Sequence, residues 1–270
     1  MSLRLAGPLL LVGAGKMGGA LLAGWLRQGL DPAHVFVSDP APPEDVAALI
    51  ASRGIETAKL PAKPSTIVIA VKPQLVDETL KALTPKIGRG TVVLSIAAGW
   101  TLANLARTLP KGTAIVRAMP NTAAAVGHSM TVACANDAVS RDQALECAHL
   151  LEAVGEVMWI EDESLMDAVT AVSGSGPAYV FLLAECLAEA GREAGLDAEL
   201  ANELARVTIS GAGALLSQSD LSAAKLRENV TSPKGTTAAA LEVLMGKGGF
   251  KELLVRAVAA AAKRSRELSS

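Results

Sequence analysis

The sequence predicts an α/β N-terminal domain with a mostly parallel sheet, followed by an all-helical C-terminal domain. Three observations predict it. An apolar run near the start passes into the glycine-spaced turn Gly13-Ala14-Gly15-Lys16-Met17-Gly18 and then into a helical segment. Short β-rich runs next alternate with helical ones, as strands with crossover helices should. From residue 164 that rhythm stops, and Ala- and Leu-rich helical stretches fill the rest of the 270-residue chain. The length suits one large or two modest domains, with the boundary expected between residues 1–163 and 164–270.

Taken in order, residues 8–12 read as a buried strand, and further strands are expected at 34–38, 66–71, 91–96 and 114–118, with weaker signals at 129–134 and 157–160. Helices are expected over 20–26, 44–53, 74–83, 102–109 and 141–153, the fourth capped by Thr101. In the second half helices are expected over 177–195, 198–217, 222–229, 233–245 and 250–268. Gly195 and the glycines at 246, 248 and 249 mark helix ends there. An Ala-rich helical half has a thin core by itself, so packing against a second copy is expected.

A formal charge of −2 and a pI near 6.0 give no electrostatic case for nucleic acid or an anionic membrane. Half of the residues are hydrophobic, with alanine supplying much of that, and no uninterrupted apolar stretch approaches the roughly 18–20 residues that span a bilayer. The N-terminus lacks a signal peptide's layout. Cys134, Cys147 and Cys186 are far apart and read as reduced thiols of a cytoplasmic protein, while His34, His128 and His149 show no metal-ligand spacing. No metal is assigned.

The glycine turn carries the first chemistry. Gly13 permits the tight turn, Gly15 lets backbone approach a pyrophosphate, and Gly18 lets the helix lie close on the strand, so residues 13–18 form a candidate dinucleotide cradle. The second strand ends in Ser38 and Asp39. An acid there hydrogen-bonds the adenosine ribose and favours NAD, whereas Ser38 could accommodate a 2′-phosphate; Asp39 could also simply start the turn with Pro40. Three more strand ends lie at the carboxyl edge where such a sheet binds ligands: Ala70-Val71-Lys72-Pro73, Ala97-Ala98-Gly99 and Arg117 to Asn121. Each alone could be an ordinary strand-to-helix turn; three after the glycine turn favour a cofactor.

In the helical half, Ser173-Gly174-Ser175-Gly176-Pro177 and Thr231-Ser232-Pro233-Lys234-Gly235-Thr236-Thr237 look like ligand-binding helix starts. Ser232 is expected as N-cap with Gly235 inside the first turn, where glycine costs roughly 1 kcal/mol relative to alanine. A helix tip ringed with hydroxyls suits a small carboxylate; plain capping is the competing explanation. Neither a Ser-His-Asp set nor paired carboxylates appear. A cyclic imine needs less help than a carbonyl, because it can already be protonated near neutral pH, and a hydroxyl such as Thr237 could hold its nitrogen.

On these motifs the chain strongly resembles the pyrroline-5-carboxylate reductases over nearly its whole length. The resemblance rests on residues 12–18, 70–73, 117–122, 173–179 and above all Asn229 to Thr237. It departs at Lys234, where many relatives have glycine. It implies a Rossmann-type domain, an interlocked helical dimer that often assembles into a decamer, and hydride transfer from NADP(H), with NAD(H) often accepted, to the C=N carbon of the substrate, giving L-proline. It further implies that Ser232, Gly235, Thr236 and Thr237 bind the carboxylate, that Thr237 contacts the imine nitrogen, and that Ser175 lies in the substrate pocket. Asn229 and Glu163 would reach cofactor or substrate, although a helix end and a surface acid are their plainer readings. A β-hydroxyacid dehydrogenase plan is the runner-up, opposed by the absence of lysine from residues 177–195. A dinucleotide-binding protein without turnover is a third reading.

Overall fold

A computed structural model describes residues 5–269. Among the described residues seven strands form one sheet: β1 (Leu9–Val12), β2 (Val35–Ser38), β3 (Thr66–Ile69), β4 (Val92–Ser95), β5 (Ala114–Met119), β6 (Ser129–Ala135) and β7 (Gly155–Trp159). Their order is β2-β1-β3-β4-β5-β6-β7. β1 to β5 are parallel, β6 is antiparallel to β5, and β7 is parallel to β6. From β1 the chain first steps outward to β2 and then returns to the far side of β1 as β3. That reversal opens a crevice at the carboxyl ends of β1 and β3, where doubly wound sheets bind their ligands.

Helices α1 (Lys16–Arg27), α2 (Glu44–Ser52), α3 (Val76–Leu83), α4 (Leu102–Thr108) and α5 (Arg141–Glu152) accompany the sheet. Alternate strand residues explain the two-sided cover. Leu9 and Leu11 join one core with Leu21, Leu22 and Trp25 of α1, while Leu10 and Val12 join another with Val76, Leu80 and Leu105 of α3 and α4. Both faces are buried, so the strands read as continuous apolar runs. The buried Trp25 indole donates to the Leu150 carbonyl of α5 at 2.7 Å, which satisfies the one polar atom it takes into the core.

Past β7 the chain is helical: α6 (Met166–Val169), α7 (Gly176–Glu193), α8 (Ala198–Gln218), α9 (Ala223–Asn229), α10 (Thr236–Met245) and α11 (Phe250–Ser269). Asp197 caps α8 by accepting the Leu200 N–H, and Ser222 caps α9 by accepting that of Lys225. The start of α10 differs from expectation. It begins at Thr236 with Gly235 as its N-cap, so Ser232 is not the cap and Gly235 is not inside the first turn. Lys234 is the reason: its φ of 60° is left-handed and breaks the helix that would have run on from Pro233.

The described residues divide into two compact units, one within Met1–Gly174 and Ala262–Ser270, the other Ser175–Ala261. Compactness therefore draws its line later than the change of rhythm at 163/164. Met166 of α6 packs with Val132 and Cys134 of β6, and Ala171 is fully buried. The end of α11 is tied to the same unit: the Ser265 hydroxyl donates to Asp167 at 2.6 Å, and the Asn104 amide donates to the Ser269 carbonyl at 3.1 Å.

Within Ser175–Ala261 the buried hydrophobic residues are Ala188, Ala201 and Ala205, while Phe181, Leu182, Val207, Leu215, Val243 and Met245 are exposed. Three alanines bury too little area to order so many residues, which is the thin core that the composition anticipates. The stretch Glu163–Glu193, 31 residues long, is apolar enough to cross a membrane by length and composition, with 11% of its most apolar window buried. Ser173, Gly174, Ser175 and Pro177 interrupt that run, which is why the sequence shows no unbroken apolar stretch.

Candidate active site

The glycine turn sits at the carboxyl end of β1, and its three glycines are there for different reasons. Gly13 has φ +89°, and a Cβ on it would lie 2.7 Å from the Ala70 carbonyl carbon and oxygen. A Cβ on Gly18 would strike the Gly13 carbonyl and lie 3.2 Å from the Ala70 Cβ. These two are required by the fold. Gly15 is not: φ is −65°, and its Cβ would meet no protein atom within 4 Å. The space before Gly15 is open, at the N-cap of α1, where backbone N–H groups lack helical partners. A pyrophosphate lying there gives the missing side chain a purpose, so the cradle fits a dinucleotide.

Around it the turn is braced. The Gly13 N–H donates to the Ser38 carbonyl at 2.9 Å and the Ala70 N–H to the Val12 carbonyl at 2.8 Å, which draws β2 and the end of β3 to the turn. Asp39 accepts the Ala14 N–H at 2.6 Å and the Ala41 N–H at 2.8 Å. It thus both holds the cradle and starts the turn, as one of its expected readings had it. Lys16 is exposed as the first residue of α1, and Met17 is half-buried behind it. Val71 is half-buried, and Lys72 and Pro73 are exposed at the next strand end. The Trp100 indole donates to the Pro73 carbonyl at 2.9 Å, joining that loop to the turn of Ala97, Ala98 and Gly99. Gly99 has φ +78°, and its Cβ position lies 3.1 Å from the Leu268 carbonyl near the end of α11. All these strand ends belong to one compact unit and line one edge of the sheet.

Asn121 and Glu163 are occupied by the protein itself. The Asn121 side chain accepts the Ala123 N–H at 3.1 Å and donates to the Ser173 hydroxyl and carbonyl at 3.2 and 3.3 Å. Glu163 Oε1 accepts from Arg117 Nη1 and from the Leu102 N–H, both at 2.8 Å. Arg117, only 6% exposed in the middle of β5, is a position that sequence reasoning left without a role. Its signal was available: a cation inside an apolar strand needs a partner. Burial, with the Glu163 carboxylate nearby, pushes the Cys134 thiol up to about 11, so it stays protonated and unreactive.

Ser175, Asn229, Ser232, Gly235, Thr236 and Thr237 lie in the other compact unit. Ser175 precedes α7 and its side chain makes no capping bond. Asn229 is the exposed last residue of α9. The Gly235 N–H donates to the Ser232 carbonyl at 3.1 Å, and a Cβ on Gly235 would strike the Ser232 hydroxyl oxygen, so glycine is what closes this turn. No side chain caps α10, which leaves the N–H groups of its first turn without a side-chain acceptor.

A reversing parallel sheet with an open glycine cradle at its switch point defines a dinucleotide-binding protein of the doubly wound class. Residues 163–268 match the family model described as pyrroline-5-carboxylate reductase dimerisation, and residues 9–99 match one described as NADP oxidoreductase, coenzyme F420-dependent. The chain is 39% identical to the pyrroline-5-carboxylate reductase of Pseudomonas aeruginosa, over 96% of its own length and 95% of the relative's. The chain belongs to the pyrroline-5-carboxylate reductase family. It superposes on the Coxiella burnetii enzyme with a TM-score of 0.91 at 33% identity, covering 98% of this chain and 100% of that one. With the Plasmodium falciparum enzyme, solved with NADP bound, the score is 0.82 at 30% identity over 98% and 99% of the two chains.

Proposed function

We propose that this chain reduces L-1-pyrroline-5-carboxylate to L-proline, the final step of proline biosynthesis, using NADP(H) or NAD(H). The observation that carries the reading is Gly15: its missing side chain serves nothing inside the protein and leaves a helix N-terminus open to a pyrophosphate. The bound nicotinamide supplies the hydride, which goes to the C=N carbon while the ring nitrogen keeps its proton, leaving a secondary amine.

The chain's own residues bind and orient. Gly13, Ala14, Gly15, Lys16, Met17 and Gly18 hold the pyrophosphate; Ser38 and Asp39 meet the adenosine ribose. Ala70, Val71, Lys72, Pro73, Ala97, Ala98, Gly99 and Asn121 stand at the neighbouring strand ends and would hold the nicotinamide end. Glu163 acts through Arg117 and Leu102, fixing β5 and α4 beside that edge. The uncapped N–H groups of Thr236 and Thr237 and the Ser232 hydroxyl, in a turn that Gly235 closes, take the substrate carboxylate, worth on the order of 0.3–2 kcal/mol through the helix dipole. The Thr237 hydroxyl accepts from the imine N–H, while Ser175 and Asn229 border the same pocket. An iminium substrate needs no strong acid, which suits a site without one.

The functional division is at 163/164, with residues 164–270 serving as the dimerisation and substrate domain. The exposed apolar residues of α7, α8 and α10 suit a second copy of this chain, and dimers of this kind suit assembly into a decamer. A cytoplasmic location agrees with reduced, buried thiols at Cys134 and Cys147. The test is spectrophotometric: purified protein should consume NADPH or NADH only when pyrroline-5-carboxylate is present, with proline as product. Turnover of a β-hydroxyacid instead would overturn the proposal, and α7 has no lysine to support it.

A further inference from the structure

Resting on the reading that the cradle holds a reduced nicotinamide dinucleotide, we infer that Asp39 makes this chain select NADH over NADPH. The two cofactors differ by one phosphomonoester, on the 2′ oxygen of the adenosine ribose, carrying between one and two negative charges at neutral pH. In a reversing parallel sheet that ribose lies at the end of the strand following the glycine turn. Here the strand is β2, and Asp39 follows it directly.

The Asp39 carboxylate is fixed in place. Its Oδ2 accepts the Ala14 N–H at 2.6 Å from within the cradle, and its Oδ1 accepts the Ala41 N–H at 2.8 Å. Two amide donors fix its position, and each oxygen keeps a lone pair for a ribose hydroxyl. A 2′-phosphate would instead meet a carboxylate that cannot swing aside without releasing the cradle.

Between Gln28 and Ser52 no lysine or arginine offsets that repulsion, and the nearest cation beside β2 is the exposed Lys59, three residues past the Phe36–Glu56 bridge, where its backbone N–H is held by the Glu56 carboxylate at 3.0 Å. From Gln28 to Ser52 the single basic-type side chain is His34, which is exposed and lies 3.7 Å from Asp31. Pro40, Pro42 and Pro43 stiffen the segment after Asp39, and it leads to Glu44 and Asp45, both exposed in the first turn of α2. That turn lies close to the cradle helix, since a Cβ on Gly19 would come 2.6 Å from Val46. Lys72 follows β3, across β1 from β2, so about 9–10 Å of strand spacing separates its strand from that of Asp39. Lys16 begins α1 at the pyrophosphate, a group both cofactors share, and so does not discriminate.

The test is calorimetric titration of the full chain with NADH and with NADPH, without substrate. NADH is expected to bind at least about tenfold more tightly, given what like charges cost at a binding surface. The double variant Ala41→Arg, Glu44→Gln keeps the backbone N–H that Asp39 uses and adds a cation. It should tighten NADPH at least about tenfold while NADH stays within about threefold of the parent. NADPH binding to the parent as tightly as NADH overturns the inference and leaves the reductase reading standing. So does a double variant that still binds NADH but gains nothing for NADPH. If the folded parent binds neither dinucleotide, the reductase reading fails and takes the inference with it.

Discussion

Gly13 and Gly15 stand two residues apart, and the same alanine substitution should do opposite things at each. At Gly13, φ +89° costs an L-residue about 1–2 kcal/mol. The new Cβ would also press to 2.7 Å against the Ala70 backbone, which cannot rotate away, adding about 1–3 kcal/mol of overpacking. Gly13→Ala should therefore lose about 2–5 kcal/mol, a fall in Tm of about 5–15 °C for a unit of this size. Gly15→Ala meets no protein atom within 4 Å and keeps an ordinary φ of −65°, so its stability should stay within about 0.5 kcal/mol. Its cost falls on the ligand. Pushing the pyrophosphate off one charge-assisted hydrogen bond worth about 1.5–3 kcal/mol weakens binding about 10–150-fold. Gly15→Val should abolish it while the fold persists. Circular-dichroism melts and calorimetry on the three variants provide the assay. A Gly15→Val protein that binds the dinucleotide undiminished, or a Gly13→Ala protein as stable as the parent, would refute the division of roles.

Thr237→Ala should lower kcat/KM about 10–100-fold with the fold intact, about 1.4–2.7 kcal/mol of transition-state stabilisation, and steady-state kinetics will show it. Lys234→Gly should raise stability by about 0.5–1 kcal/mol in urea unfolding: relief of left-handed strain of about 1–2 kcal/mol exceeds the entropic cost of glycine. Lys234→Ala keeps the strain and should gain nothing. Glu163→Ala leaves the buried Arg117 guanidinium unpaired and should cost about 2–4 kcal/mol, read as a lowered urea midpoint. Cys147 is fully buried, and burial pushes its thiol up to about 12. The folded state keeps that proton after the unfolded chain has lost it. Stability from this group is therefore complete below pH 9 and falls progressively as pH rises toward 12, measurable as an alkaline shift of the melting curve that Cys147→Ala removes.

Much of the sheet unit was legible because its signals are local. Apolar runs bounded by glycine and proline located all seven strands to within about two residues, the usual slack at element ends. The glycine turn announced its purpose because backbone geometry restricts Gly13 wherever it occurs. The start of α10 was misplaced for the complementary reason. Ser232 followed by Pro233 is a good local cap and first-turn pair, but Lys234 takes a left-handed φ and the turn closes through the Gly235 N–H and the Ser232 carbonyl. Propensity is a weak prior there, and the residue that overrides it carries no local warning.

Sequence by itself determined the alternating and helical halves, the cradle, and the family motifs from Asn229 to Thr237, since each is written in residues adjacent along the chain. Only tertiary structure decided that Glu163 answers Arg117 from 46 residues away, that Asp39 ties itself to Ala14, and that the end of α11 returns to the sheet unit beside Gly99. Those pairings depend on which strand ends meet across the sheet, and no pattern of nearby residues encodes that. The three glycines show the boundary most sharply. Their spacing is a property of the sequence, but only the surroundings of each missing side chain separate the two that the fold requires from the one left for a ligand.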